Sequence, residues 1–305
     1  MTSPSLSSSS AAGSFPSGRV RPGAFMRAAA GAVPPSGLVM LAILSVQIGA
    51  GLAKNLFAAL PPSAVVFLRI AAGAAMLAVA ARPRLRGLNR RDLAAGVAFG
   101  VTLGLMNLSF YEALARLPMG ICVTIEFLGP LGVAVAASRR RTDLLWVALA
   151  ATGIALLAPW GQAGGLSWVG IGFSALAAVC WAAYILLSAS VGSRFPGTTG
   201  LSFAMLVAVV VIAPIGVTTG GADLLHPGLL LLGAGVGLLS SVIPYSLELE
   251  ALRRMPKRVF GILMSLEPAV AALVGLVVLG EVLHLREWAA IGCVVIASVG
   301  ATRTT

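Results

Sequence analysis

Apolar runs of about twenty residues follow one another along almost the whole chain, separated by short breaks that carry proline, glycine or arginine. Twenty residues is the length at which a helix crosses the hydrocarbon of a bilayer. In that solvent a chain must satisfy its own backbone hydrogen bonds, so a series of such runs folds as packed helices. Composition agrees: 58% of the 305 residues are hydrophobic and only 10% are charged, against roughly 25% charged in soluble domains. Mean hydropathy is +0.99.

The runs predict ten spans, at 36–57, 63–81, 92–115, 118–138, 143–160, 166–189, 199–219, 227–251, 256–280 and 284–302. Residues 1–35 differ in being rich in Ser, Gly and Pro. They lack the apolar stretch and cleavage site of a signal peptide and read as a disordered cytoplasmic tail.

The chain also echoes itself. Glu112-Ala-Leu-Ala-Arg116-Leu-Pro118 returns 138 residues later as Glu250-Ala-Leu-Arg-Arg254-Met-Pro256, and at the same offset Gly129-Pro130 meets Glu267-Pro268. A repeat of about half the chain in an apolar sequence points to a duplicated membrane domain, with halves at 36–160 and 166–302. Five helices per half is an odd number, so the second half enters the membrane upside down. The fold class expected is all-α integral membrane, ten helices as two inverted five-helix repeats.

A net charge of +11 raises the question of nucleic acid, but the basic residues sit between apolar runs, where they orient the chain instead. With the N-terminus inside, Arg19, Arg21, Arg27, the clusters in 82–91, 139–141 and 253–258, Arg194 and Arg303 are cytoplasmic, and only Arg116 and Arg286 face outward. Both termini are then cytoplasmic. Glycines at four-residue spacing, Gly96, Gly100 and Gly104 in the third span and Gly233 and Gly237 in the eighth, read as faces of close helix packing.

Ionisable residues inside a membrane are expensive and are the first candidates for function. Glu126 lies eight residues beyond Pro118, about 12 Å along its helix and near the bilayer midplane. Arg69 and Lys54 fall towards the outer ends of the second and first spans. The three are expected to meet in one cavity, where two cations against one carboxylate favour a guest with an anionic group. The blander alternative is an ion pair of Glu126 with Arg69. Glu267 precedes Pro268, and proline frees a backbone carbonyl and kinks a helix; the carboxylate beside it is a proton carrier or a hydrogen-bond anchor between helices. Asn107, Tyr111, Trp181, Tyr184 and Tyr245 are candidate lining residues, with Gln47 at a matching depth in the first helix. Each is also a common packing or interface residue. The pairs Glu112/Arg116 and Glu250/Arg254 read as orienting i,i+4 pairs at helix ends.

No HExxH, GxSxG or histidine cluster is present, and no P-loop, so neither an enzyme nor an ATP-driven pump is expected. The three cysteines lie within apolar runs without metal or CxxC spacing, so no metal or other cofactor is called for. A passive channel is the remaining rival.

Met264-Ser-Leu-Glu267-Pro268-Ala-Val-Ala-Ala, followed by Leu279-Gly280-Glu281, is similar to the closing signature of the EamA branch of the drug/metabolite transporter superfamily. Leu52-Ala-Lys54, Glu126-Phe-Leu-Gly-Pro130-Leu, Cys180-Trp181-Ala-Ala-Tyr184-Ile-Leu and Pro244-Tyr245-Ser-Leu-Glu248 resemble, more narrowly, its group of bacterial threonine/homoserine exporters. The resemblance covers residues 36–302. It implies efflux of small amino acids across the bacterial inner membrane by proton antiport, with no cofactor. Another small metabolite or drug is the alternative cargo. The resemblance carries no residue-level site, so the candidates above rest on burial and charge.

Overall fold

A computed structural model describes residues 33–81, 89–137, 143–157, 166–195 and 199–304. All but the end of the expected tail lies outside these residues, as do most of the basic stretch at 82–91, the arginines at 139–141 and the glycine-rich break at 161–165. Among the described residues every regular element is helical. The helices are α1 (Pro35–Asn55), α2 (Pro62–Ala81), α3 (Arg90–Leu114), α4 (Met119–Glu126), α5 (Leu128–Ala137), α6 (Asp143–Leu157), α7 (Trp168–Arg194), α8 (Thr199–Gly220), α9 (Pro227–Gly237), α10 (Ile243–Arg254), α11 (Lys257–Met264), α12 (Glu267–Leu279) and α13 (Leu285–Thr304).

Among the described residues, seven stretches are long and apolar enough to cross a membrane: Pro35–Ala58, Pro62–Val79, Arg90–Leu114, Trp168–Gly192, Thr199–Leu225, Pro227–Glu248 and Val259–Leu279. Met119–Val133 and Leu145–Leu156 are apolar but shorter. The protein is therefore an all-α, multi-pass membrane protein. Its outer surface is apolar: Val79, Leu231 and Val277 are each more than 70% exposed, which suits side chains that meet lipid.

Three helices break, and each break has a proline behind it. A proline inside a helix clashes with the carbonyl four residues earlier. Pro130 points this clash at Glu126, and α4 ends at Glu126. Pro268 points it at Met264, and α11 ends at Met264. Pro244 points it at Ser240, and the backbone there widens into a π-turn over Leu238–Val242. Such turns often mark functional positions. The internal echo is also structural. Pro118 and Pro256 cap α4 and α11 with nearly equal backbone angles, φ −57°, ψ 143° and φ −59°, ψ 138°.

Close packing runs through the glycines that the sequence singled out. A methyl group on Gly100 would sit 2.6 Å from the Ala204 carbonyl of α8, one on Gly237 would sit 2.8 Å from the Arg69 carbonyl of α2, and one on Gly233 would sit 2.9 Å from Leu68. Helix α3 lies against α7 and α8, α2 against α8 and α9, α1 against α10 and α12, and α6 against α13. A core of Ile70, Leu103, Tyr111, Met205 and Ile212 joins α2, α3 and α8.

A polar chamber at the helix breaks

The breaks converge on a cavity of about 520 Å³, within the range of small-molecule sites. Its walls come mainly from aliphatic and aromatic side chains, and its polar groups are few. Arg69 enters from α2, Glu126 from the end of α4, Glu248 from α10 and Glu267 from the start of α12. Gln47, Asn107, Trp181, Tyr184, Ser240 and Tyr245 also line it.

Arg69 is 8% exposed. Its Nη2 donates to Asn107 Oδ1 at 2.6 Å and its Nη1 to Tyr111 Oη at 3.2 Å. Asn107 Nδ2 in turn donates to the Leu103 carbonyl at 2.8 Å, which fixes which face the amide oxygen presents. The Tyr111 ring lies 5.3 Å from the guanidinium carbon, a cation–π distance. Tyr111 is thus behind the wall, steadying Arg69. Neutral partners hold the guanidinium, its Nε has none, and its charge is left for something else. The ion pair with Glu126 that was the blander alternative is absent among the described residues. The Glu126 carboxylate is likewise without a hydrogen-bond partner there, although the residue is buried.

Lys54 corrects the sequence reading. It does not join Arg69 and Glu126. Its Nζ is 2.5 Å from Glu281 Oε1 and donates to the Leu117 carbonyl at 2.8 Å. The other Glu281 oxygen accepts from the Met119 amide at 2.8 Å. The physical reason is axial distance: Lys54 is seven residues beyond Gln47 on α1, so about 10 Å further along the same face. There it meets the connection after α12 rather than the chamber. The charge balance reverses as a result. One guanidinium faces three carboxylates among the described residues, so the expected surplus of positive charge does not exist.

The structure brings Arg69, Asn107, Glu126, Trp181, Tyr184, Tyr245 and Glu267 together at one cavity. Trp181 packs edge-on against Phe127 at 5.5 Å between centroids, and Tyr184 stacks on Phe99 at 4.8 Å. Sequence reasoning missed Glu248. Its signal was its place three residues after Tyr245, which puts both on one face of α10. The helix-end pairs form as expected, Glu112 with Arg116 at 2.6 Å and Glu250 with Arg254.

Across the chamber Gln47 Nε2 donates to Glu267 Oε1 at 3.0 Å. The chamber as a whole can bind a small zwitterion: a carboxylate at Arg69, an ammonium group among the glutamates, and an aliphatic or hydroxylated side chain against the aromatic wall.

A model of the EamA-like transporter family matches residues 168–303. The threonine/homoserine exporter RhtA of Escherichia coli (strain K12) is 40% identical over 272 residues, covering 88% of this chain and 92% of that protein. The threonine/homoserine exporter RhtA of Salmonella typhimurium (strain LT2) is 41% identical over 271 residues, covering 88% and 90%. A solved crystal structure of another protein superposes with a TM-score of 0.58 at 17% identity, over 88% of this chain and 96% of that one, which is a likeness of fold alone.

Proposed function

Because the chain belongs to the EamA branch of the drug/metabolite transporter superfamily, we propose that it is a secondary-active exporter of small hydroxy amino acids of the threonine/homoserine kind, working by proton antiport across a bacterial inner membrane. One observation carries the reading. A buried guanidinium with no acidic partner shares a cavity with three glutamates. Arg69 takes the substrate carboxylate, and Asn107 and Tyr111 hold it in place. Glu126 takes the ammonium group. Glu267 carries the proton, with Glu248 as a further carboxylate on the same wall. Trp181, Tyr184 and Tyr245 shape the side-chain space.

The frame for this is two five-helix repeats, 36–160 and 166–302, of opposite topology, ten spans in all, with both termini cytoplasmic. Rocking of one repeat against the other exposes the chamber to each side in turn. The names of the relatives support transport rather than catalysis.

The test uses labelled threonine and inverted vesicles. Uptake is expected to saturate, to rise with an imposed proton gradient and to exchange with unlabelled homoserine. Glu126→Gln is expected to insert normally and to lose gradient-driven uptake. Gradient-independent, non-saturating flux would make the chain a channel. Absence of threonine uptake with uptake of an unrelated metabolite would keep the carrier and replace its cargo. Wild-type transport in Glu126→Gln would remove that residue from the site.

A further inference from the structure

Gln47 and Glu267 stand 220 residues apart in sequence and meet through one hydrogen bond, Gln47 Nε2 to Glu267 Oε1 at 3.0 Å. Both are buried, at 1% and 7% exposure. Each also keeps an oxygen that is buried and without a partner, Gln47 Oε1 and Glu267 Oε2. These two orphans belong to two groups that are already joined.

The inventory of donors makes the coincidence informative. An ionised carboxylate only accepts, whereas a carboxylic acid has one O–H to donate. A primary amide offers one accepting oxygen and two N–H donors. With Glu267 ionised, the pair has two leftover acceptors and nothing to join them. With one proton on Glu267 Oε2, the O–H donates to Gln47 Oε1 while Gln47 Nε2 donates to Glu267 Oε1. A single proton satisfies both orphans and closes a reciprocal ring.

We infer that Gln47 is a positioning residue for the proton at Glu267, holding the protonated carboxyl in a reciprocal acid–amide pair that opens when the proton leaves. The inference deepens the proton-antiport reading above and rests on it for its role in transport. The location suits a moving part. Glu267 is the first residue of α12, directly after the α11–α12 break, and Gln47 is on the unbroken α1.

The charged neighbours explain what opens the pair. Glu126 from α4, Glu248 from α10 and Arg69 from α2 face the same cavity. Lys54 of α1 is committed to Glu281. Cys122 of α4 accepts from Ser174 at 3.4 Å. Helix α13 contributes Ser298 to the wall, and its charged residues, Arg286, Glu287 and Arg303, are at its two ends. Loss of the proton therefore places a third carboxylate beside Glu126 and Glu248 with one guanidinium to balance them. An arriving ammonium group relieves that repulsion. Proton and amino group then exclude each other, as antiport requires.

Infrared difference spectroscopy of the full chain in lipid tests the pair without transport. The wild type is expected to show a carbonyl band of a protonated, hydrogen-bonded carboxyl that Glu267→Gln removes. Gln47→Met, close in shape but without the amide, is expected to keep that band and move it to higher frequency. Gln47→Asn, with the amide on a shorter stem, should move the band the same way by less and serves if Gln47→Met fails to insert.

No carboxyl band lost in Glu267→Gln, or a band that stays in place or moves to lower frequency in the Gln47 variants, would overturn the pair. A band that behaves as expected while Glu267→Gln still exchanges threonine for protons would leave the pair standing and remove Glu267 from coupling.

Discussion

At the scale of single residues, the most exacting position is Arg69. Its guanidinium is buried and solvated by an amide oxygen and a phenol, an arrangement that costs desolvation free energy, which on the proposed reading a charged guest offsets. Charge-assisted hydrogen bonds are worth about 1.5–3 kcal/mol, so Arg69→Gln should weaken threonine binding by roughly ten- to a hundredfold. Threonine amide, which lacks the carboxylate, should compete poorly in the wild type, and in Arg69→Gln threonine should do little better than its amide. Competition assays in vesicles read this directly. Equal inhibition by the two compounds in the wild type would remove the carboxylate clamp. Much of this was legible beforehand, because a charge in an apolar run can be seen without a structure. Depth along a helix was legible too. What a one-dimensional reading could not supply was which charges share a neighbour. Lys54 was placed with Arg69 because both lay near span ends, yet Glu281, which lies in a connection between helices, claims it. Glu248 stands in the motif Pro244–Glu248 but was not weighed as a charge within a span, although it lies inside the expected span 227–251.

At the scale of elements, the sequence reading marked the kink at Pro268 but not the breaks ahead of Pro130 and Pro244. Pro130 and Pro268 lie four residues after the last residue of a helix segment, and Pro244 four residues after Ser240 of the π-turn, so the residues whose carbonyls are disrupted, Glu126, Met264 and Ser240, all line one cavity. Irregular backbone is tolerated at membrane depth only where protein or a cavity covers it. Here Ser45 of α1 covers one such carbonyl, donating to Leu239 of the π-turn at 2.7 Å. The glycine faces were readable from four-residue spacing, whereas their partners were not. Gly100 of α3 abuts backbone of α8, which has no flexible end to move aside. Gly100→Val should therefore separate α3 from α8 and lower stability by about 1–3 kcal/mol, the usual cost of overpacking. Gly235→Ala is the control, since a methyl group there meets nothing within 4 Å, and it should leave the melting temperature in detergent unchanged or slightly higher. A Gly100→Val protein that melts like the wild type would mean that the α3–α8 contact is looser than described.

At the scale of the whole molecule, ion pairs among the described residues join the first half of the chain to the second. Lys54 meets Glu281, and Asp92 meets Arg194 at 3.2 Å. Asp92 is in the first turn of α3, while Leu117, which also binds Lys54, follows its last. The two ties are therefore separated by the length of α3, about 37 Å for its 25 residues, which exceeds the hydrocarbon thickness of a bilayer. On the proposed plan of five spans per half with the arginine clusters inside, the Asp92–Arg194 tie would be cytoplasmic and the Lys54–Glu281 tie would face outward. The proposed plan commits every connection to a side, and the decisive one is the junction between the halves. After five spans the chain must be outside at Ala163, and after four it must be inside at Arg140. Fusions of a reporter active only outside and one active only inside, placed at each position, should give opposite answers, with Ala163 outside and Arg140 inside. Both positions reporting the same side would mean that one of the two short apolar helices, Met119–Val133 or Leu145–Leu156, does not cross. The halves would then no longer be inverted copies, and a rocking exchange about a shared chamber would lose its geometric basis.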